Sequence, residues 1–151
     1  MKRQWILGMA LLLLLTPWAT ESATLAEEMT KGSNPIEGVW VTADGEGWVE
    51  IRRHGGSLEG IIVGSPDGIE RLDEQNPDPA LRQRELTGVK ILQGFNSQSA
   101  TRWIDGTIYD PDNGKTYSCT LELEGENTLK VRGYLGVSLF GRTEKWERRK
   151  E

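Results

Sequence analysis

Apolar and polar residues alternate with a period of two along most of this chain. Between residues 116 and 123, for example, Tyr117, Cys119, Leu121 and Leu123 share one face, while Thr, Ser and Glu side chains occupy the other. A period of two is typical of a β-strand that buries one face. Since no segment shows convincing helical periodicity, the pattern predicts an all-β protein.

The alternation predicts eight strands that are separated by turn signals about every ten residues. The strands are expected at residues 36–42, 48–53, 58–63, 89–95, 101–109, 116–123, 128–133 and 140–148. Most connections are of hairpin length and contain glycine, as in the turn formed by residues 110–115. Eight antiparallel strands joined mostly by hairpins favour a closed up-and-down barrel or a sandwich.

One connection is much longer than the others. Residues 64–88 are polar and contain three prolines, in Ser65-Pro66-Asp67-Gly68 and Asn76-Pro77-Asp78-Pro79. A connection of this length in a compact β-domain is usually functional or mobile. We therefore expect it to lie over one end of the sheet as a partial lid.

The first residues have the organisation of a secretory signal peptide. Lys2 and Arg3 precede an apolar block, Ile6 to Leu15, which is too short to span a bilayer, and small residues follow it. Residues 1–26 are the predicted leader, with cleavage after Ser22 or Ala26. Residues 27–35 form a flexible lead-in, and residues 36–149 form a single β-barrel domain. We expect a soluble periplasmic or secreted protein without stable membrane insertion.

Charge and cysteine content exclude several classes of function. Loss of the leader removes two basic and one acidic residue, so the formal charge changes from −5 to −6. A mildly acidic protein is a poor candidate for binding nucleic acid or anionic lipid surfaces. Cys119 is the only cysteine and has no partner for an intramolecular disulfide. Its place in the alternation predicts a buried side chain, with redox chemistry as the alternative.

The sequence carries no catalytic or metal-binding signature. His54, the only histidine, lies in a glycine turn, and no nucleophile elbow is present. Residues 110–114 resemble the start of a calcium loop, but the glycine comes one residue early and Leu121 replaces the bidentate glutamate. Paired carboxylates drawn from Glu50, Asp105 and Glu144 are the remaining enzymatic alternative. We expect no enzyme activity, cofactor or metal.

The last strand differs from the others because charged residues share a face with an aromatic one. If Trp146 points inward, Arg142 and Glu144 lie at or near the interior. A buried arginine needs a carboxylate, a carbonyl or an aromatic face, and Glu144, Asp105 and Trp40 are candidates.

Gly38-Val39-Trp40 on the first strand, with seven further strands and an arginine-rich last one, resembles the lipocalin and fatty-acid-binding barrels. In those families the tryptophan packs at the closed end of the barrel beneath an arginine of the last strand. The resemblance implies that Trp40 meets Arg142 or Arg148.

A longer set of motifs spans almost the whole mature domain. It consists of Asn76-Pro77, Gly88, Trp103, Gly106-Thr107-Ile108-Tyr109-Asp110-Pro111, Gly114-Lys115-Thr116-Tyr117, Arg132-Gly133-Tyr134 and Leu139-Phe140-Gly141-Arg142-Thr143 with Trp146. This set closely resembles the secreted bacterial family called domain of unknown function 2147. The resemblance implies a lipocalin-like (calycin) barrel and export in Gram-negative bacteria. It supplies no accepted reaction and no catalytic residues.

An eight-stranded barrel is just wide enough to be filled by side chains or to hold one small ligand. The expected ligand is hydrophobic or amphipathic, such as a fatty acid or lipid, and Arg142 is its polar anchor. The predicted wall consists of Trp40, Trp103, Tyr109, Tyr117, Arg142 and Trp146. The alternative is a filled barrel that binds a protein or envelope component through residues 64–88.

Overall fold

The computed structural model describes residues 34–150, which form a closed barrel of eight antiparallel strands. The strands are β1 (Gly38–Val41), β2 (Trp48–His54), β3 (Ser57–Gly64), β4 (Lys90–Ser99), β5 (Arg102–Asp110), β6 (Lys115–Glu124), β7 (Thr128–Tyr134) and β8 (Arg142–Arg148). Short 3₁₀ helices occupy Pro79–Leu81 and Ser138–Phe140. The predicted leader and most of the lead-in lie outside the described residues.

The up-and-down barrel is confirmed, and the sandwich is excluded. Each strand pairs with its neighbour in sequence, and β1 also pairs with β8, so the sheet closes on itself. The predicted end of β4 at Phe95 was wrong. The strand continues to Ser99 because Asn96, Ser97 and Ser99 still pair with β5.

The topology gives the barrel two different ends. Residues 42–47, 65–89, 111–114 and 135–141 connect strands at one end, which we call the open end. The shorter connections, residues 55–56, 100–101 and 125–127, lie at the other, which we call the closed end. Both termini of the described chain also lie at the closed end.

Large side chains fill the half of the barrel next to the closed end. Its inward-facing residues include Trp40, Ile51, Leu58, Phe95, Trp103, Cys119, Leu121 and Leu129, all buried. Glycines on neighbouring strands admit the larger rings: a Cβ at Gly106 would overlap the ring of Phe95, and one at Gly60 would lie 2.7 Å from Leu92 Cδ1. The core is therefore close-packed at this level.

Trp40 closes the bottom of the barrel. Its side chain is fully buried, and its indole N–H donates a 2.9 Å hydrogen bond to the carbonyl of Ile36. The guanidinium of Arg148 lies over the ring at 4.3 Å from its centroid. The implied stacking of Trp40 by an arginine is thus present, and Arg148 rather than Arg142 provides it.

Arg148 also ties together backbone segments that are far apart in sequence. It donates hydrogen bonds to the carbonyls of Glu126 at 2.8 Å, Glu37 at 2.9 Å and Pro35 at 2.6 Å. A Cβ on Gly38 would lie 2.7 Å from the Nη1 atom of Arg148. The glycine of the Gly38-x-Trp40 motif therefore leaves the space through which the arginine reaches these carbonyls.

We predict that Arg148→Met destabilises the protein by about 2–3 kcal/mol, because it removes the stacking on Trp40 and the hydrogen bonds to three carbonyls. Urea unfolding of both proteins measures the difference. Arg149→Met is the matched control: Arg149 stacks on Trp48 at 3.7 Å but is exposed, so its loss should cost less than about 1 kcal/mol. Equal losses for the two variants would contradict a special role for Arg148.

Candidate ligand-binding cavity

The half of the barrel next to the open end contains a cavity of about 620 Å³ that is open to solvent. This volume lies in the range of roughly 300–1,000 Å³ that small-molecule sites occupy. The cavity opens between the connections of the open end, which supply most of its rim. The barrel is therefore filled next to the closed end and hollow next to the open end.

The deeper wall of the cavity is apolar. It consists of inward-facing side chains from seven strands: Val49, Ile62, Ile91, Ile108, Tyr117, Val131 and Trp146. On β7 the alternation places Leu129 in the filled half and Val131 and Gly133 in the cavity wall. The period of two therefore continues through both halves, and the side chains of the open half leave the interior hollow.

The rim of the cavity is strongly polar. Its charged residues are Asp44, Glu46, Glu70, Arg71, Asp110, Asp112, Arg142 and Glu144. Arg71 is paired with Asp67 at 2.8 Å. Partial burial, with the carboxylates of Asp110 and Asp44 nearby, raises the pKa of Asp112. The entrance thus presents charge to solvent while the interior presents apolar surface.

Arg142 stands at the start of β8 on the inward face, as the alternation predicts. Its side chain is 86% exposed, and its Nε lies 3.4 Å from the Glu144 carboxylate. The expectation of a buried arginine was wrong, and of its three candidate partners Glu144, rather than Asp105 or Trp40, is the one that it contacts. The residue lies at the mouth because the strand begins there, so its charge remains in water.

A buried carboxylate anchors the long connection between β3 and β4. Asp73 is fully buried and accepts hydrogen bonds from the Tyr109 hydroxyl at 2.5 Å, Asn76 Nδ2 at 2.7 Å and Arg84 Nε at 2.9 Å. Burial alone would raise the pKa of Asp73, but these three donors outweigh it and lower the pKa. Burial and the neighbouring carboxylate raise the pKa of Tyr109 to about 12.

The turn between β5 and β6 forms a second contact with the same connection. Gly114 has a φ of 70°, and a Cβ there would lie 1.9 Å from the carbonyl oxygen of Gln75. The connection borders the cavity through residues that include Ile69, Glu70 and Leu86. It therefore forms one side of the rim and is fastened to the barrel.

Four of the six predicted wall residues lie on the cavity: Tyr109, Tyr117, Arg142 and Trp146. Trp40 and Trp103 do not line it. Both are buried in the filled half, where their rings take up the space that a ligand would need. The prediction missed Ile62, Ile91, Val131 and Gly133, which line the cavity on β3, β4 and β7.

The residues considered for catalysis do not come together. His54 is exposed at the closed end. Asp105 is exposed with a φ of 63°, and Glu50 follows the buried Val49, so both face away from the interior. Only Glu144 of the three candidate carboxylates lines the cavity.

Cys119 is fully buried, and burial raises the pKa of its thiol to about 12, so the side chain is an uncharged core residue. Within residues 34–150, no group of three or more His, Cys, Asp or Glu residues is placed to hold a metal ion.

Comparison with known proteins agrees with this architecture. A family model described as an uncharacterised protein conserved in bacteria, DUF2147, matches residues 38–148. The chain belongs to this family. The match runs from the first residue of β1 to the last of β8, so this DUF2147 protein has its whole barrel within the family domain.

A solved structure shows the same fold. HP1028 from the human pathogen Helicobacter pylori, which is described as belonging to the lipocalin family, matches with a TM-score of 0.71 and 24% sequence identity. The match covers 77% of this chain and 84% of HP1028. The DUF2147 protein therefore has a lipocalin-like barrel. No curated protein matches the chain.

We predict that Asp73→Asn lowers the stability of the protein by about 2–4 kcal/mol at neutral pH, because it removes a buried charge that holds the long connection. Because folding lowers the pKa of Asp73, its contribution is complete above the ordinary value of 3.8. This contribution to stability is lost as the pH falls through the lower pKa that Asp73 has in the folded protein.

The stability difference between wild type and Asp73→Asn should therefore shrink in acid, which urea unfolding from pH 7 to pH 3 measures. Glu74→Gln, at the exposed neighbouring residue, is the matched control and should change stability little. A difference that stays constant over this range would contradict the assignment of the charge to Asp73.

Proposed function

We propose that this DUF2147 protein is an exported carrier that holds one small amphipathic ligand in its barrel. The cavity carries the proposal: about 620 Å³ of space with an apolar interior and a charged rim. A fatty acid or a single-chain lipid has the matching distribution of apolar and polar parts. Its chain would occupy the interior, and its polar group would remain at the mouth.

The apolar part of such a ligand would contact isoleucines on three strands. Ile62, Ile91 and Ile108 lie on the wall together with Val131 and Trp146. Ile91 and Trp146 are at least 95% buried, so the wall is continuous with the packed core. Transfer of a hydrocarbon chain from water to this surface is favourable in proportion to the area that it buries.

The polar group of the ligand would meet Arg142 at the mouth. A guanidinium has five N–H donors in a planar fork that fits a carboxylate or a phosphate. Arg142 reaches Glu144 through its Nε, so its terminal amino groups can take a ligand. Tyr109 and Tyr117 also line the cavity.

Two further observations support a carrier that works outside the cytoplasm. The first residues resemble a secretory leader. The barrel resembles HP1028, a member of the lipocalin family, in fold.

Among residues 34–150, the structure contains no helix that is long and apolar enough to cross a membrane.

Native mass spectrometry tests the proposal on protein purified from the periplasm of the producing cells. We expect an extra mass that disappears on denaturation and reappears in an organic extract of the sample. The intact mass also shows whether cleavage follows Ser22 or Ala26. A bare mass that does not shift after incubation with fatty acids and lysophospholipids would contradict the proposal.

We predict that Gly133→Leu weakens fatty-acid binding at least tenfold. A Cβ at Gly133 would meet no atom closer than 3.6 Å, so the larger side chain fits the backbone but extends into the cavity. Ser118→Leu is the matched control, since it adds a similar volume on the outer face of β6 and should bind as wild type. A fluorescent fatty acid measures both affinities.

Circular dichroism checks that both variants fold, and Val131→Phe provides a second way to fill the cavity. Wild-type affinity in folded Gly133→Leu and Val131→Phe would place the ligand outside the barrel.

A further inference from the structure

The connection between β7 and β8 exposes four large apolar side chains at the open end. We call residues 135–141 the apolar rim loop. Leu135 is 65% exposed, Val137 59%, and Leu139 and Phe140 80% each. The loop contains no charged residue. A cluster of exposed apolar side chains marks an interaction site.

The second half of the apolar rim loop is held by hydrogen bonds to its backbone. Arg132 donates hydrogen bonds to the carbonyls of Ser138 at 3.1 Å and Leu139 at 3.4 Å. The N–H groups of Phe140 and Gly141 donate to Val137 and Ser138. These contacts fix the part of the loop that carries Leu139 and Phe140, whose side chains are the most exposed of the four.

Residues at both ends of the loop suit the boundary between lipid and water. Tyr134 precedes it, and Arg142, 86% exposed, follows it. Tyrosine combines an apolar ring with a polar tip, and arginine can extend its charge to lipid phosphates while its stem stays against apolar surface. The apolar rim loop therefore lies between two side chains, Tyr134 and Arg142, of the kind that favours the boundary between lipid and water.

The charge of the open end selects the kind of lipid. The four connections at this end carry nine acidic residues and three arginines. A surface with net negative charge would repel them, whereas zwitterionic lipids offer phosphates to Arg142 without a net surface charge.

The size of the patch argues against a protein partner. Four partly exposed side chains form a patch of roughly 300–600 Å², which is below the roughly 800 Å² per partner of a specific protein interface.

We propose that the apolar rim loop docks the open end of the barrel on a zwitterionic lipid surface. Leu139 and Phe140 enter the acyl region, and Arg142 contacts headgroup phosphates. Gly133 and Arg142, which flank the loop, also line the cavity, so docking brings the mouth against the lipid. The inference does not depend on what the cavity binds.

Flotation with phosphatidylcholine vesicles tests the proposal. The barrel closes within residues 34–150, so the assay uses a chain that begins at residue 27 and lacks the apolar block at Ile6 to Leu15. We expect wild type to float with the vesicles and Leu139→Ser/Phe140→Ser to lose at least tenfold in partitioning. Addition of phosphatidylglycerol to the vesicles should weaken binding.

Val63→Ser is the matched control, because Val63 is another exposed apolar residue, on the wall of β3, and its loss should leave flotation unchanged. Absence of flotation with phosphatidylcholine, equal flotation of the double variant, or flotation only with anionic vesicles would overturn the proposal. So would self-association in sedimentation that the double variant abolishes, since the loop would then contact a second copy. Ligand loading of the double variant, measured separately, distinguishes failure of docking from failure of the carrier proposal.

Discussion

The stacking of Arg148 on Trp40 is the interaction on which the barrel depends. β1 has four residues and pairs with β8 at only two positions, Trp40 with Arg148 and Val41 with Glu147. Every other pair of neighbouring strands, which we call a seam of the barrel, joins more residues. The seam that closes the sheet is thus the shortest one. The guanidinium of Arg148 stacks on the buried ring of Trp40 and donates to three carbonyls. These contacts compensate for the small number of backbone hydrogen bonds between β1 and β8.

Close packing near Trp40 allows the other half of the barrel to remain hollow. Phe95, Trp103 and Leu121 fill the interior above the tryptophan, and most of the buried apolar residues lie at this level. The open half contributes to stability through the hydrogen bonds between its strands and through the contact between Asp73 and Tyr109. The same strands therefore form the packed core in the closed half of the barrel and the cavity in the open half.

The sequence was sufficient to predict the fold and the inward face of each strand, but not the depth of each residue in the barrel. A period of two places Trp103 and Trp146 inside, yet only their position along the barrel axis decides which one borders the cavity. The anchor of the long connection could not be predicted, since Asp73 and Tyr109 are 36 residues apart and no local pattern links them. The outward direction of Asp105 follows from its positive φ, which alternation does not anticipate.

The seam between β1 and β8 also has a consequence for the order of folding. Six of the eight seams join strands that follow each other through short connections and can form early from local contacts. The last seam joins residues at opposite ends of the domain, so it carries the largest loop-closure entropy. We expect an open, curved sheet with two unpaired edges to precede the barrel, and such edges are sites of aggregation. When Arg148 reaches Trp40, both edges are removed in a single step.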